Sequence, residues 1–292
     1  MRFAKGHGTE NDFVILPDPD GLLDLSPGLV ARLCDRRTGL GADGVLRVVR
    51  AAAGADLAPA TRAASDAAVA AADPGWFMDY RNADGSLAEM CGNGIRVFGR
   101  YLVDKGLVCA GEFTVGTRDG LRLVRVQPGR NITAEMGPVH ILGPSRVGIG
   151  NRELDGLRVS VGNPHLACLV GGSLDDFDLS VPPRLDPCLF PAGGNVELVR
   201  VTGRAAVQLR VCERGSGETR SCGTGAVAAA MAAARAVDNG EENGAGVWRV
   251  RVPGGELVVT LGDRNSWLTG PAVIVAEGEL CDAWLSAPEF AG

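Results

Sequence analysis

Two cysteines occupy the same unusual setting. Residues 91–94 read Cys-Gly-Asn-Gly and residues 222–225 read Cys-Gly-Thr-Gly, and each is followed by an apolar stretch typical of a helix. A helix N-terminus stabilises an exposed negative charge by ~0.3–1 kcal/mol, so a thiol there ionises more readily. A racemase or epimerase needs one group that removes a proton from a stereocentre and another that returns a proton to the opposite face. One ionised and one protonated thiol satisfy that requirement.

The residues after each cysteine add a site for an anion. The first backbone amides of a helix have no intrahelical partner, so they can hold a carboxylate. Here those amides belong to Gly92, Asn93, Gly223 and Thr224. Either motif alone is more often a buried cysteine after a glycine turn. The duplicated context favours the catalytic interpretation of Cys91 and Cys222.

The other six cysteines carry no such signal. The sequence contains no Cys-x-x-Cys, which argues against zinc knuckles and thioredoxin-type motifs, and we predict no metal site. A chain of this length without a signal peptide needs no disulfide framework. We therefore expect these six to be small buried hydrophobic residues. They are Cys34, Cys109, Cys168, Cys188, Cys212 and Cys281.

Charge and composition exclude several classes of function. The 292 residues include 29 basic and 35 acidic ones, a net charge of −6, without the long like-charged runs that bind nucleic acid or membrane surfaces. The start of the chain lacks the apolar core of a signal peptide, and the longest apolar run, residues 226–234, is too short to span a bilayer. We expect a cytoplasmic protein that binds neither nucleic acid nor a membrane. Neither lysine, Lys5 or Lys105, lies in a context for a pyridoxal-phosphate Schiff base or a Walker loop.

The chain repeats an ordered set of features. In each half the cysteine-led helix is followed by two strand patterns around a glycine turn and then by Gly-Pro, at 137–138 and 270–271. Such near-equal spacing indicates a duplicated half. We predict an α+β fold of two pseudo-symmetric halves, residues 1–135 and 136–271. Each is expected to be a curved, mostly antiparallel sheet wrapped around a central helix, with the active site in the cleft between the halves.

Two further stretches carry structural predictions. The helix after Cys222 is apolar on nearly every side, which is typical of a buried helix. Residues 50–74 are rich in Ala and Asp and show little periodicity, so we predict a mobile surface excursion and assign it no function.

The sequence resembles the diaminopimelate epimerase family over essentially the whole chain. The motifs of the first half are His7-Gly8, Asn11-Asp12-Phe13-Val14, Gly39-Leu40-Gly41-Ala42-Asp43-Gly44, Asn82-Ala83-Asp84-Gly85-Ser86 and Cys91-Gly92-Asn93-Gly94-Ile95-Arg96. Those of the second half are Gly162-Asn163-Pro164-His165, Asn195-Val196, Glu213-Arg214-Gly215-Ser216-Gly217-Glu218-Thr219 and Cys222-Gly223-Thr224-Gly225. Asn82 and Glu213 also stand at the same distance, nine residues, before their cysteines.

The resemblance implies a role for each matching residue. Cys91 and Cys222 would interconvert LL- and meso-2,6-diaminopimelate as an acid/base pair without a cofactor, in lysine and peptidoglycan-precursor biosynthesis. His165 and Glu213 match positions that tune the thiols. Substrate contacts would come from the amides named above and from Asn11, Asn82, Asn163, Asn195, Glu213 and Arg214. The far end of this substrate carries an ammonium and a carboxylate, which suit amide side chains and a Glu-Arg pair.

The resemblance also bears on assembly and on local departures. It implies a homodimer, and residues 272–292 crossing back to the first half. Thr9 and Glu10 depart from the usual first motif, so we expect a differently shaped loop there. At Gly44 some members have glutamine near the substrate, and a glycine takes no such binding role.

Alternative interpretations remain open. A proline or hydroxyproline racemase-type enzyme shares the two-thiol logic, but its substrate lacks the distant charged end that the Asn-rich set and Glu213-Arg214 would recognise. A redox protein in which Cys91 and Cys222 pair is the alternative from another class; we expect such a disulfide to be a liability or a switch. The dinucleotide fingerprint Gly39-x-Gly41-x-x-Gly44 is set aside because a strand pattern, not a helix, follows it.

Overall fold

The computed structural model describes residues 1–53, 75–127, 129, 131–237 and 246–286. The chain divides into two compact units. The first comprises Met1–Gly8, Asp12–Ile132 and Pro271–Gly292, and the second comprises Thr9–Asn11 and Thr133–Gly270. Most of the predicted excursion, residues 54–74, lies outside the described residues. Across the described ranges, every helix is too short or too polar to cross a membrane.

The described residues form short strands and few helices. The strands are β1 (Arg2–Gly8), β2 (Asn11–Pro17), β3 (Gly44–Arg50), β4 (Trp76–Asn82), β5 (Gly111–Thr117), β6 (Gly120–Val126), β7 (Asn131–Gly137), β8 (His140–Ile149), β9 (Arg152–Ser160), β10 (Pro164–Leu169), β11 (Arg184–Leu185), β12 (Asn195–Gly203), β13 (Ala206–Glu213), β14 (Gly217–Thr219), β15 (Gly246–Val252), β16 (Gly255–Leu261), β17 (Ser266–Pro271) and β18 (Val273–Glu279). The helices are α1 (Pro27–Cys34), α2 (Gly92–Asp104), α3 (Gly223–Val237) and α4 (Asp282–Leu285), with single 3-10 turns at Ala51–Ala53 and Leu174–Asp176.

In the first unit, helix α2 packs on a mixed sheet. β2 and β3 pair in parallel, β3 and β4 antiparallel, β4 and β5 in parallel, and β5 and β6 antiparallel, while β18 pairs antiparallel with β1. Helix α2 contacts β1, β3, β4, β6 and β18. Ile95, Phe98 and Leu102 of this helix are fully buried, so its apolar face supplies the centre of the unit.

In the second unit, helix α3 has the corresponding place. β8, β9 and β10 pair antiparallel, β10 and β12 in parallel, and β12 and β13 antiparallel. β13 pairs in parallel with β15, which begins an antiparallel run with β16 and β17. Helix α3 contacts β9, β10, β12, β13, β15 and β16. Its residues from Gly223 to Ala234 are buried, which confirms the prediction of a buried helix.

The α+β prediction is confirmed, and so are its main local features. A helix follows each cysteine, and each helix is followed by a hairpin, β5–β6 and β15–β16. Helix α2 ends at the predicted glycine: Gly106 has φ +65°, and its amide and that of Leu107 donate to the carbonyls of Val103 and Leu102. This is the Schellman arrangement that favours glycine after a helix. Gly44 begins strand β3, so no helix follows the set-aside fingerprint.

The prediction for three of the six background cysteines is wrong. Cys34, Cys168 and Cys212 are buried as expected, whereas Cys109, Cys188 and Cys281 are exposed. Cys109 and Cys188 lie in segments between secondary-structure elements, and Cys281 is the N-cap residue of the short helix α4. At these positions the chain runs along the surface. Residue type alone does not distinguish these two environments.

Candidate active site

Cys91 caps the N-terminus of α2 with its own sulfur. Its backbone is extended, with φ −134° and ψ 119°, and its Sγ accepts a hydrogen bond from the amide of Gly94 at 3.3 Å. The residue is half-buried. An N-cap acceptor of this kind satisfies one of the unpaired amides of the first helical turn. The sulfur is therefore held where partial positive charge is greatest.

A buried arginine lies beneath this turn. Arg96 is fully buried, and its guanidinium donates to the carbonyl of Gly92 at 2.9 Å and to Oδ1 of Asn93 at 3.0 Å. Burial lowers the pKa of Arg96 to about 10, and its interaction with Cys91 opposes that shift. At neutral pH the side chain remains a cation close to the sulfur. Arg96 belongs to the Cys91 motif, but its residue type and position alone do not predict this role.

Asn82 lies at the end of β4 in a tight turn. Its Nδ2 donates to Oγ of Ser86 at 3.0 Å, and that hydroxyl donates to Oδ1 of Asp84 at 2.6 Å. The structure thus uses the amide of Asn82 to shape residues 82–86, and its predicted contact with substrate stays a prediction.

Cys222 repeats the arrangement of Cys91 in the second unit. It directly precedes α3, and its buried Sγ accepts a hydrogen bond from the amide of Gly225 at 3.4 Å. In both motifs the sulfur therefore meets the amide three residues later. The sulfur also lies 3.5 Å from Oγ1 of Thr224, so the first turn of α3 supplies two polar partners.

Thr9 connects to the residue before Cys222. Thr9 and Glu10 form the turn between β1 and β2, with φ values of 50° and 62° in the left-handed region. Hydroxyl Oγ1 of Thr9 lies 2.6 Å from Oγ of Ser221, with both atoms buried, and Glu10 pairs with Arg220. Asn11 follows as the first residue of β2. The two-residue turn is therefore linked to the segment that precedes Cys222, and its difference from the family's usual loop stays a prediction.

Acidic surroundings keep the thiol of Cys222 protonated. Burial raises its pKa well above the ordinary value and the charge of Glu213 raises it further, while donors from Thr224 and Gly225 oppose the shift. Burial also raises the pKa of Glu213, against hydrogen bonds from the Thr219 hydroxyl at 2.5 Å and from Cys222. Glu213 is the last residue of β13, and this position places its carboxyl group next to the thiol of Cys222.

A chain of hydrogen bonds runs from Thr224 into the core of the second unit. Nδ2 of Asn163 donates to Oγ1 of Thr224 at 3.4 Å, and Oδ1 of Asn163 lies 2.8 Å from Nε2 of His165. On the other side of the ring, Nδ1 of His165 lies 2.6 Å from Oε1 of Glu197. Both side chains of this last pair are completely buried. Burial raises the pKa of Glu197, and His165 opposes that shift.

The remaining predicted residues of the second unit shape its loops. Nδ2 of Asn195 donates to the carbonyl of Pro164 at 3.3 Å, and Oδ1 of Asn195 accepts from the amide of Arg214 at 2.9 Å. The guanidinium of Arg214 donates to the carbonyl of Ala192 at 3.4 Å. Asn195 therefore joins the first residue of β10 to the segment after β13.

The second unit thus brings together most of the residues that the sequence predicted for it. The structure gathers these around one helix start: Asn163, His165, Glu213, Cys222 and Thr224. Sequence reasoning missed Glu197, although a signal existed. Alternate residues of a strand share a face, so Glu197 lies on the same side of β12 as Asn195. In the described part of the chain, His, Cys, Asp and Glu form no group of three or more that could hold a metal ion.

Solved structures define the fold to which this chain belongs. A phenazine biosynthesis protein of the PhzF family from Bacillus anthracis matches with a TM-score of 0.65 and 16% identity, covering 96% of this chain and 99% of that one. A probable proline racemase from Agrobacterium radiobacter matches with a TM-score of 0.67 and 14% identity, covering 96% and 93%. The chain therefore has the fold shared by PhzF-type and proline racemase-type proteins.

Sequence comparison identifies the family within that fold. The family model described as diaminopimelate epimerase matches residues 3–142 and 157–279. The diaminopimelate epimerase of Thermobifida fusca is 57% identical over 96% of this chain and 98% of its own length. That of Mycolicibacterium smegmatis is 52% identical over 98% of this chain and 99% of its own length. The chain belongs to the diaminopimelate epimerase family.

Proposed function

We propose that this chain interconverts LL- and meso-2,6-diaminopimelate, with Cys91 and Cys222 exchanging the roles of base and acid and no cofactor taking part. The observation that carries the proposal is 57% identity over 96% of the chain with a relative named diaminopimelate epimerase. The reaction belongs to lysine and peptidoglycan-precursor biosynthesis. We further propose that the protein acts in the cytoplasm as a homodimer.

The surroundings of the two thiols support opposite resting states. A buried cation, Arg96, lies beneath the turn that holds Cys91 and favours its thiolate. A carboxyl group, Glu213, faces Cys222 and favours its thiol. One thiolate and one thiol are what a two-base epimerisation needs at the start of a turnover. The thiolate of Cys91 would then take the α-proton, and Cys222 would deliver a proton to the other face of the α-carbon.

The first turns of α2 and α3 support binding of the reacting carboxylate. As the α-proton leaves, negative charge grows on that carboxylate, and preorganised amide donors lower the energy of the transition state by ~3 kcal/mol each. Arg96 fixes the turn on the Cys91 side through Gly92 and Asn93. On the Cys222 side Gly223 and Thr224 supply the corresponding amides.

The far end of the substrate would be recognised by polar side chains outside these turns. We assign that role to Asn11, Asn82, Asn163, Asn195, Glu213 and Arg214. Amide side chains donate and accept at once, and a guanidinium can bind a carboxylate through two donors. The contacts of Asn195 with residues near β10 and β13 keep Arg214 in a fixed loop.

Proton exchange measured by NMR tests the reaction and its substrate. Reduced protein is incubated in heavy water with LL-diaminopimelate and, in parallel, with L-proline. We expect deuterium at the α-position of diaminopimelate alone, with the meso isomer appearing and no cofactor added. Exchange into proline alone would keep the two-thiol mechanism and overturn the substrate. Exchange into neither, together with dithiol–disulfide turnover, would favour the redox alternative.

Alanine variants test the two thiols. Cys91→Ala and Cys222→Ala each remove one half of the acid/base pair, so we expect epimerisation to fall by about 100-fold or more. Matched controls are available in both units: Cys109 and Cys188 are exposed, and their alanine variants should retain wild-type rates. Activity that survives in the double variant Cys91→Ala/Cys222→Ala would contradict the mechanism.

A further inference from the structure

His165 and Glu197 form a buried pair whose place follows from strand register. β10 and β12 run parallel, with His165 opposite Asn195, and Glu197 is two residues further along the same face of β12. That face lies under α3. Nδ1 of His165 and Oε1 of Glu197 are 2.6 Å apart, and both side chains are 0% exposed.

The other ring nitrogen of His165, Nε2, faces an amide oxygen. Nε2 of His165 lies 2.8 Å from Oδ1 of Asn163, and an amide oxygen only accepts hydrogen bonds. With the amide of Asn163 oriented so that its oxygen faces the ring, Nε2 carries a hydrogen. The amide Nδ2 of Asn163 then donates to Oγ1 of Thr224, which leaves the hydroxyl hydrogen of Thr224 to point at Sγ of Cys222. Every donor in this relay is directed towards the sulfur.

Glu197 keeps that hydrogen on Nε2. A protonated Glu197 donates to Nδ1 of His165, and an ionised Glu197 accepts from it; the two forms contain the same two protons and differ only in where one of them lies along the 2.6 Å bond. In both forms Nε2 is protonated. Loss of one proton would leave a net negative charge in a fully buried site, which is costly.

Burial of the Glu197 carboxyl is costly, and the first turn of α3 leaves room for it. Among the described residues its second oxygen, Oε2, is buried without a hydrogen-bond partner. The third residue of α3 is also a glycine, and a Cβ on Gly225 would lie 2.9 Å from Oε1 of Glu197. An unpartnered buried acceptor lowers stability, so this carboxyl is poorly explained by packing alone.

We propose that Glu197 is a positioning residue for the reaction: through His165 it orients Asn163 and Thr224 so that a hydrogen bond is donated to the thiolate of Cys222 whenever that thiolate forms. This inference rests on the proposed function of Cys222 as acid and base. Hydrogen bonds to charged groups are strong enough that losing this one should slow the chemical step by about 10- to 100-fold.

The tautomer of His165 can be read directly. The chain has three histidines, so long-range proton–nitrogen NMR spectra of histidine-labelled protein are simple to assign with a His165→Gln reference. In the wild type we expect these spectra to show a hydrogen on Nε2 of His165. A wild-type spectrum with Nε2 unprotonated would overturn the proposal. This measurement does not depend on enzyme activity. It therefore tests the tautomer of His165 even if the protein fails to epimerise diaminopimelate.

Two variants separate positioning from charge. Glu197→Gln can still donate to Nδ1, so it should keep the Nε2–H tautomer and a kcat within about threefold of wild type. Glu197→Leu removes the partner and should release the tautomer and lower kcat by about 10- to 100-fold with a smaller effect on KM. Glu153→Gln, at an exposed site on β9, is the matched control. The proposal is wrong if Glu197→Leu leaves kcat and tautomer unchanged, or if Glu197→Gln keeps the tautomer but loses activity.

Discussion

The ionisation of Cys222 depends on the balance between burial, the carboxyl groups of Glu213 and Glu197, and two hydrogen-bond donors. Because Glu213 is the largest electrostatic contribution after burial, replacing it should act directly on the thiol. We predict that Glu213→Gln lowers the pKa of Cys222, since a neutral amide no longer opposes the thiolate. The 13Cβ shift of labelled Cys222, followed against pH and assigned with Cys222→Ser, measures this change.

A suitable control for that titration lies nearby in the sequence. Glu218 pairs with Arg210 at 2.7 Å and is not among the main causes of the raised pKa of Cys222. Glu218→Gln should leave the Cys222 titration where it is. An unchanged or raised pKa of Cys222 in Glu213→Gln would contradict the prediction that Glu213 opposes the thiolate.

Single residues differ in how far sequence could predict them. Cys91, Cys222 and Glu213 stand in motifs whose chemistry is visible from residue type and spacing. Arg96 and Glu197 are charged residues in a helix and a strand, where a charged side chain ordinarily indicates a solvated face. Only the folded chain shows that both are buried against the first turn of a helix.

The two cysteine-led helices carry equivalent glycines with different neighbours. A Cβ on Gly94 would meet Cδ2 of Leu46 at 3.2 Å, and a Cβ on Gly225 would meet Oε1 of Glu197 at 2.9 Å. The 3.2 Å contact requires Leu46 to give by only a few tenths of an ångström, whereas the 2.9 Å contact requires movement of Glu197, which is fully buried and held by His165. Alanine in a helix gains about 1 kcal/mol over glycine, and overpacking costs about 1–3 kcal/mol.

We therefore predict that Gly94→Ala changes the free energy of unfolding by less than about 1 kcal/mol, and that Gly225→Ala destabilises the protein by about 1–3 kcal/mol. Thermal and urea unfolding of the two variants, followed by circular dichroism, provides the comparison. Equal effects at the two positions would show that α3 moves away from β12 without cost.

At the scale of elements, local patterns predicted what local chemistry determines. The caps, the buried helix and the hairpins after α2 and α3 follow from glycines, periodicity and β-branched runs. The sequence patterns did not predict helix α1, although Ser26 caps it and Pro27 occupies its first turn. Its eight residues are too few for periodicity to register, and Gly28 lowers helix propensity.

The division of the whole molecule depends on long-range pairing. The first unit draws on three separate segments because β1 pairs with β18, from Arg2 opposite Glu279 to His7 opposite Val273. Sequence periodicity contains no information about such a pairing, and the predicted boundaries 1–135, 136–271 and 272–292 came from the internal repeat and the family resemblance. They remain predictions, while the two units are a property of the structure.

Buried carboxyl groups have opposite shifts in the two units. In the first unit, burial raises the pKa of Asp12, but Arg36 and Lys5 outweigh it and lower the pKa to about 2. Arg118 and Arg81 likewise outweigh burial and lower the pKa of Asp79. In the second unit, burial dominates and raises the pKa of Glu197 and Glu213.

These shifts have opposite consequences for stability in acid. A lowered folded-state pKa contributes stability that is present above the unfolded value of 3.8 and is lost as the pH falls towards about 2. A raised pKa contributes stability that is complete below the unfolded value of 4.5 and is lost as the pH rises through the folded value. Acidification should therefore weaken the first unit while these carboxyls of the second unit lose nothing.

We predict that the first unit opens before the second as the pH falls from about 4 to 2, with Asp12 alone accounting for about 2 kcal/mol. Protein held at each pH and then pulse-labelled with deuterium at one common pH reports this by peptide: Gly92–Asp104 should lose protection before Gly223–Val237. Asp12→Asn serves as the control, because its destabilisation should be full at pH 6 and should fall to a small fraction near pH 2, where about half of the wild-type carboxylate is protonated. Earlier opening of Gly223–Val237, or a cost of Asp12→Asn that does not change with pH, would mean that the ion pairs of Asp12 do not control the acid stability of the first unit.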